Sequence, residues 1–212
     1  MNVVFDLGAV LFTWQPVLLV QKHFPDHAPT AEAAQALARS IFAHEDWERF
    51  DGGHHEIDEV LQRVTARLGL PLEGLHGALG AEPIGERLLP IEGTVDILAS
   101  LRTRRDQAGD VRIYYLSNMP RSYARMLEAR HAFFSWFDGG IFSGDVNLIK
   151  PAPEIYELLA SRHGLVPSQT VFIDDMPANV EAARALGWHA IHFESPGQLS
   201  RELAPLLPAH PA

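Results

Sequence analysis

The stretch Val-Val-Phe-Asp-Leu-Gly-Ala-Val at residues 3–10 begins with an apolar run that ends in a carboxylate, Asp6. A short apolar run bounded by polar or small residues is typical of a buried β-strand, so the first strand is predicted at Val3–Asp6. Later runs of the same form are Val111–Ser117, Gly140–Ser143, Thr170–Asp174 and His189–Phe193. Each of these runs is also predicted to be a strand.

Helical patterns lie between the later strands. They are Thr94–Arg104, Arg121–Arg130, Glu154–His163 and Asn179–Leu186. Strands that alternate with helices predict an α/β fold, here a Rossmann-like doubly wound parallel sheet. In such sheets the ligand lies beyond the carboxyl ends of the strands. Because Asp6, Ser117 and Asp174 each end a predicted strand, we expect them at the ligand edge.

Residues 15–87 break this alternation, because every pattern in them is helical. The candidate helices are Val17–Phe24, Thr30–Phe42 with Thr30 as its cap, Ile57–Leu68 and Leu72–Leu79. A helical block of this length cannot be a single crossover, so we interpret it as an inserted α-helical cap over the ligand edge. The predicted domains are a sheet domain at residues 1–14 and 88–212 and a cap domain at residues 15–87. The tail after Leu207 is predicted to be frayed.

Composition narrows the classes of function. The formal net charge of −10 argues against nucleic acid and anionic membranes as partners, since both bind clustered Lys and Arg. A small anionic substrate is still compatible with one positive pocket. The chain has no cysteine, which excludes disulfides, thiolate catalysis and cysteine-bound zinc. The apolar stretch Val3–Phe12 is broken by Asp6 and follows no basic segment, so we expect a cytoplasmic protein without a signal peptide.

Asp174 and Asp175 are adjacent carboxylates at the end of the apolar run Thr-Val-Phe-Ile. Such a pair repels unless a cation or hydrogen bonds compensate. Carboxylate oxygens suit Mg²⁺, which typically takes one or two of them and keeps several waters. The alternative is a helix cap, because Pro177 fits the first turn of a helix. The pair therefore predicts a magnesium site, in which Asp175 could fill both roles.

Taken singly, Asp6, Ser117-Asn118 and Lys150 have simple structural explanations: a polar strand end, a helix cap and a surface lysine. Together they fit phosphoryl transfer. Asp6 would attack phosphorus and form an acyl phosphate, while Mg²⁺ between Asp6, Asp175 and the phosphate would screen the repulsion of the two anions. The Ser117 hydroxyl and nearby backbone N–H groups would cradle the phosphate, and Lys150 would neutralise its remaining oxygens.

These residues lie in segments that resemble four ordered motifs of the haloacid dehalogenase (HAD) superfamily. The segments are Asp-Leu-Gly-Ala-Val (6–10), Leu-Ser-Asn (116–118), Lys-Pro-Ala-Pro-Glu-Ile-Tyr (150–156) and Phe-Ile-Asp-Asp-Met-Pro-Ala-Asn-Val-Glu-Ala-Ala (172–183). Residues 15–87 lie where that superfamily carries its helical C1 cap. Within the superfamily the chain is similar to the α-D-glucose-1-phosphate phosphatase group and to the amino-terminal phosphatase domain of soluble epoxide hydrolases. The resemblance implies a Mg²⁺-dependent phosphatase of a small phosphomonoester, for example a sugar phosphate, with an aspartyl-phosphate intermediate.

The resemblance also implies a metal site and a nucleophile. Asp6 would be both nucleophile and magnesium ligand, and Gly8 would offer its backbone carbonyl to the metal. Asp175 would be a direct ligand, with Asp174 nearby or acting through water.

For the phosphate, the resemblance implies that Ser117, Asn118 and Lys150 bind it. Lys150 would also pair with Asp6, and Asn179 would brace the loop after the fourth motif.

Gly8 departs from the usual pattern. Most phosphatases of the superfamily carry a second Asp at that position, which acts first as general acid and then as base, and general acid catalysis is typically worth ~10²–10⁴-fold. The cap segment at residues 44–50 offers His44, Glu45 and Asp46 as proton donors, with Trp47 beside them. The alternative for this segment is a solvated helix face that packs Trp47 inward.

Two other functions compete with the phosphatase. In a 2-haloacid dehalogenase the same Asp6 would attack carbon; such enzymes also lack the second Asp, but they need no magnesium and do not present a pair like Asp174-Asp175. The chain could also be a catalytically degenerate member that only binds a ligand, with Gly8 as the sign of lost turnover.

Overall fold

The computed structural model describes residues 1–208, so the end of the tail that was predicted to be frayed lies outside the described residues. Its sheet has five parallel strands in the order β3-β2-β1-β4-β5. They are β1 (Asn2–Phe5), β2 (Arg112–Ser117), β3 (Gly139–Phe142), β4 (Thr170–Asp174) and β5 (His189–His192). All the strands predicted from the sequence are present, and the parallel α/β sheet is confirmed.

Helices fill most of the remaining described chain. They are α1 (Pro16–His23), α2 (Ala31–Phe42), α3 (Glu45–Asp51), α4 (Ile57–Leu68), α5 (Leu72–Leu79), α6 (Ala81–Gly85), α7 (Glu92–Ala108), α8 (Arg121–Arg130), α9 (Ser143–Val146), α10 (Pro153–His163), α11 (Pro177–Ala185) and α12 (Pro196–Leu203). Short 3₁₀ turns occupy Ala132–Trp136, Pro167–Gln169 and Ala204–Leu206. Across residues 1–208, no helix is both long and apolar enough to cross a membrane.

The sheet is covered on both faces, which explains why its strands are continuous apolar runs. Successive side chains of β1 point to opposite faces. Val3 and Phe5 join the apolar cluster that includes α7, α8 and α12, whereas Val4 joins the cluster formed with α10 and α11. The interior strand β4, between β1 and β5, is buried at all of its residues. The doubly wound architecture is therefore as predicted.

The segment between β1 and α7 is helical, and α4 and α5 have the predicted bounds. Thr30 caps α2 as expected, because its hydroxyl accepts a hydrogen bond from the Ala33 N–H at 3.2 Å. Buried residues of α2, α4 and α5 belong to the same apolar cluster as Val3. Since one core joins the helical segment to the sheet, a cap boundary at residue 15 and at residue 87 stays a prediction.

α12 was not predicted, although the sequence carries its start signal. Ser195 is its N-cap, with the hydroxyl accepting from the Gln198 N–H at 3.3 Å, and Pro196 occupies the first turn. The four-residue α9 was also not predicted, because a single turn leaves no periodic pattern.

Candidate active site

The carboxyl ends of β1, β2 and β4 meet at one edge of the sheet and open into a cavity of about 230 Å³. Asp6 directly follows β1, and its N–H donates to the Ile173 carbonyl of β4 at 2.8 Å. Ser117, the last residue of β2, is almost fully buried and lines the cavity together with Asp6. The ligand edge predicted from the strand ends is therefore a real concavity.

Lys150 lies between two carboxylates beneath this cavity. Its Nζ is 2.9 Å from Asp6 Oδ1 and 2.6 Å from Asp174 Oδ2, and its side chain is only 1% exposed. Burial alone would lower the pKa of Lys150, but Asp174 and Asp6 outweigh it and raise the pKa. Burial raises the pKa of Asp6 to about 7 against the opposing effect of Lys150. Lys150 is therefore a buried structural and electrostatic partner of Asp6 rather than a surface lysine.

Asp174 is saturated with hydrogen bonds. Its Oδ1 accepts from the Met176 N–H at 2.8 Å, and Lys150 donates to Oδ2. The Asn179 amide lies 3.0 Å from both oxygens and donates to them. The carboxylate thus holds the start of α11 and the lysine in place, with Asn179 bracing the loop. Its oxygens are engaged by protein groups.

Asp175 lines the cavity, and one carboxylate oxygen from each of Asp6, Asp174 and Asp175 lies within 4.8 Å of the other two. Burial and the charge of Asp174 raise the pKa of Asp175. These three carboxylates face one ammonium, so a divalent cation would relieve their repulsion, and oxygen donors suit Mg²⁺. The donor set therefore fits the predicted magnesium ion, with Asp6 and Asp175 better disposed to hold it than Asp174.

The side-chain amide of Asn118 forms two hydrogen bonds with the backbone of Lys150. Asn118 Nδ2 donates to the Lys150 carbonyl at 2.9 Å, and the Lys150 N–H donates to Asn118 Oδ1 at 2.8 Å. The amide therefore fixes the loop that carries the lysine. For a phosphate, Asn118 would offer its backbone N–H, next to the Ser117 hydroxyl.

Gly8 lines the cavity in a backbone conformation that is open to any residue. A Cβ placed there would meet no other atom within 4 Å, and its φ is not positive. The neighbouring Ala9 instead takes the left-handed φ of 55°. Glycine at position 8 is therefore not required by the space or the turn, and its backbone faces the cavity where the resemblance implies a metal ligand.

The cap residues predicted beside the site separate into two groups. Trp47 lines the cavity, together with Trp14 and Phe42. His44 caps α3, with Nδ1 accepting from the Asp46 N–H at 3.1 Å, while the Asp46 carboxylate lies 3.5 Å from the Arg63 guanidinium on α4. Neither is among the residues that line the cavity.

Asp51, which sequence reasoning missed, does line the cavity. It is the last residue of α3 and lies four residues after Trp47, so the two share one helix face. Burial raises its pKa well above that of an ordinary aspartate, and the charges of Glu48 and Asp6 add to this effect. The inward position of Trp47 was the signal that could have identified Asp51.

Comparisons with known proteins agree with this geometry. The chain is 28% identical to the sesquiterpene phosphatase astK of Aspergillus oryzae over 190 residues, which cover 90% of this chain and 88% of that protein. Two further relatives are longer, and the chain spans only 19% and 35% of their lengths.

Solved structures show the same fold. A HAD family enzyme of Bacteroides thetaiotaomicron, in complex with magnesium and inorganic phosphate, matches with a TM-score of 0.69 and 18% identity over 92% of this chain and 94% of that one. The L-2-haloacid dehalogenase of Xanthobacter autotrophicus matches with a TM-score of 0.63 and 23% identity over 96% of this chain and 82% of that one. The family model for haloacid dehalogenase-like hydrolases matches residues 3–187, and the chain therefore belongs to this family of hydrolases.

Proposed function

We propose that the protein is a Mg²⁺-dependent phosphatase that hydrolyses a small phosphomonoester through an aspartyl phosphate on Asp6. The observation that carries this proposal is the placement of Asp6 in the cavity, 2.9 Å from the buried Lys150 ammonium and close to the Asp175 carboxylate. The phosphatase name of the Aspergillus oryzae relative supports the reaction class, and the magnesium and phosphate of the Bacteroides thetaiotaomicron enzyme support the cofactor.

In the first half-reaction Asp6 attacks phosphorus, the Asp6–phosphorus bond forms and the bond to the leaving oxygen breaks. Asp6, Asp175 and the Gly8 carbonyl would hold Mg²⁺, which would supply charge screening between the carboxylate and the phosphate. Lys150 keeps Asp6 oriented, and the Ser117 hydroxyl donates to a phosphate oxygen. In the second half-reaction water attacks phosphorus and releases Asp6.

The balance of charge favours the phosphatase over the 2-haloacid dehalogenase. Asp6, Asp174 and Asp175 face the single ammonium of Lys150, which leaves an excess of negative charge near the cavity. A haloacid is itself an anion, so without a cation it would be repelled by this site. For a phosphomonoester bound together with Mg²⁺, the charge of the cation would offset the negative charge of these carboxylates.

The cavity walls indicate how the substrate body, meaning the part of the substrate other than its phosphate group, would bind. Phe42 packs edge-on against Trp14 at 5.1 Å and against Trp47 at 4.7 Å between ring centroids, and all three residues line the cavity. An apolar group or the face of a sugar ring would pack on these rings. We therefore propose that the substrate is a small phosphomonoester that carries an apolar group or a sugar ring.

The test is a phosphate-release screen over aryl, terpenoid, sugar and nucleotide monophosphates, with Mg²⁺ and with excess EDTA. We expect release of p-nitrophenol from p-nitrophenyl phosphate only when Mg²⁺ is present. Chloride release from 2-chloropropionate that persists in EDTA would instead identify a dehalogenase. A protein that binds Mg²⁺ and phosphate but turns over no ester would be a degenerate binding protein.

A further inference from the structure

The proposed reaction lacks a proton donor at position 8. The leaving oxygen of an alkyl ester is too basic to depart easily as an anion, and a positioned acid typically contributes ~10²–10⁴-fold. Gly8 has no side chain to provide it, although a Cβ there would meet no atom within 4 Å. The donor must therefore come from another part of the cavity or from water.

The ionisable groups that line the cavity can be sorted by the bonds they already make. Asp6 and Lys150 form the ion pair described above, and Asp175 belongs to the candidate metal site. The Tyr123 hydroxyl donates its hydrogen to the Leu79 carbonyl, and burial raises its pKa well above that of an ordinary tyrosine. Each of these groups already has a role or a bound partner for its proton.

Asp51 is the other ionisable side chain among the lining residues. Burial keeps its pKa well above the usual range, Glu48 and Asp6 add to the effect, and Lys150 opposes it. The Asp51 carboxyl group thus retains its proton at a pH where an ordinary aspartate has lost it. A neutral carboxylic acid that faces a phosphate site is the form that a general acid needs.

The backbone around Asp51 is fastened to the sheet side of the cavity. The Ser143 hydroxyl donates to the Asp51 carbonyl, and Asn147 Nδ2 donates to the Gly52 carbonyl at 2.8 Å. Gly53 has a φ of 71°, and a Cβ there would lie 2.3 Å from the Gly144 carbonyl oxygen, so only glycine permits this close approach. The end of α3 is therefore held against α9, which fixes Asp51 relative to the strand ends.

We propose that Asp51 is the general acid for the leaving group and then the general base for the attacking water, and this inference rests on the proposed phosphatase function. As Asp6 bonds to phosphorus and the ester P–O bond breaks, the Asp51 proton passes to the leaving oxygen and an alcohol departs. The Asp51 carboxylate then accepts a proton from the water that attacks the aspartyl phosphate. Asp6 leaves as a carboxylate, and Asp51 is protonated again.

The experiment compares three esters with similar bodies: p-nitrophenyl, phenyl and 2-phenylethyl phosphate. The readout is kcat/KM, which reports only the steps up to release of the first product. Asp51→Asn is expected to lower kcat/KM for 2-phenylethyl phosphate by ~10²–10⁴-fold. For p-nitrophenyl phosphate, whose leaving group needs little acid catalysis, kcat/KM should stay close to the parent value. A pre-steady-state burst of p-nitrophenol should appear, since hydrolysis of the aspartyl phosphate loses its base.

Asp58→Asn is the matched control, because Asp58 is an exposed aspartate on α4 that does not line the cavity. It should leave all three kcat/KM values unchanged. Gly8→Asp in the Asp51→Asn background should restore part of the lost kcat/KM for 2-phenylethyl phosphate, because it supplies a new carboxyl group. Gly8→Ala in the same background should not restore it. The ratio between esters is measured within one preparation, so a partly unfolded variant does not disturb it.

Two results separate the possible failures. If Asp51→Asn lowers kcat/KM equally for all three esters, or for none, Asp51 is not the proton donor while the phosphatase stands. If the parent protein, with Mg²⁺ present, hydrolyses none of these esters and none of the monophosphates in the phosphate-release screen, the proposed function fails and the role of Asp51 fails with it.

Discussion

The side-chain amide of Asn118 exchanges two hydrogen bonds with the backbone of Lys150, at 2.9 and 2.8 Å, across 32 residues of sequence. This pair joins the end of β2 to the loop that delivers the lysine to Asp6 and Asp174. The electrostatics of the candidate active site therefore depend on a contact that involves no ionised side chain.

Asn118→Ala should weaken both stability and turnover. It leaves the Lys150 N–H and carbonyl without their partner, which should lower the free energy of unfolding by about 1–3 kcal/mol. A displaced Lys150 should lower kcat for p-nitrophenyl phosphate more than it raises KM. Denaturant unfolding and steady-state kinetics measure the two effects. Unchanged kcat at an altered stability would show that the amide does not position the lysine for catalysis.

The adjacent aspartates should respond differently to removal. Asp175→Ala should weaken Mg²⁺ binding in calorimetric titration with little loss of stability, because burial and Asp174 already disfavour its charge. Asp174→Ala should instead destabilise the fold by about 3–5 kcal/mol, since it breaks a buried ion pair and leaves Lys150 undercompensated. Equal losses of Mg²⁺ affinity in the two variants would mean that Asp174 is also a direct ligand.

Trp47 tests the proposed binding of the substrate body. Trp47→Phe shortens the ring on the cavity wall, so it should raise KM several-fold for p-nitrophenyl phosphate and much less for acetyl phosphate, which has little body to pack. Trp136→Phe is the control, because Trp136 belongs to the 3₁₀ turn at Ala132–Trp136 and is not among the residues that line the cavity. An equal change in KM for both substrates would count against packing of the body on Trp47.

The role of Asp51 has a consequence for pH dependence. Its carboxyl group is subject to the charges of Glu48 on α3, Asp6 after β1 and Lys150 before α10, and its own charge acts on Tyr123 of α8. Because the acid must be protonated and its pKa is raised, kcat/KM for 2-phenylethyl phosphate should fall as the pH rises through that pKa. In Asp51→Asn this fall should disappear. Its persistence in the variant would assign the ionisation to another group.

The strand ends were predictable because a parallel sheet brings its carboxyl ends to one edge. This rule alone predicted that Asp6, Ser117 and Asp174 lie at the ligand edge. A local signal predicted that Thr30 caps α2. Each of these inferences uses only a short stretch of sequence, namely one strand end or one helix start.

The contacts that decide the chemistry were harder to predict, because they join distant segments. Asn118 was expected to bind phosphate, and the direction of its side-chain amide depends on Lys150, 32 residues later. Likewise, His44 and Asp46 were considered as proton donors, whereas the rotation of α3 directs Trp47 and Asp51 to the cavity. α3 packs against α4 and α9, and its Phe50 contacts Tyr123 of α8. No local sequence pattern contains these contacts.

The most direct test of the central claim is the rate of p-nitrophenyl phosphate hydrolysis by Asp6→Asn with saturating Mg²⁺. The amide has nearly the shape of the carboxylate but cannot attack phosphorus. We expect a folded protein, verified by its thermal transition, with turnover at the background level of the reaction in buffer. A variant that keeps a substantial part of the parent rate would contradict the assignment of Asp6 as the nucleophile.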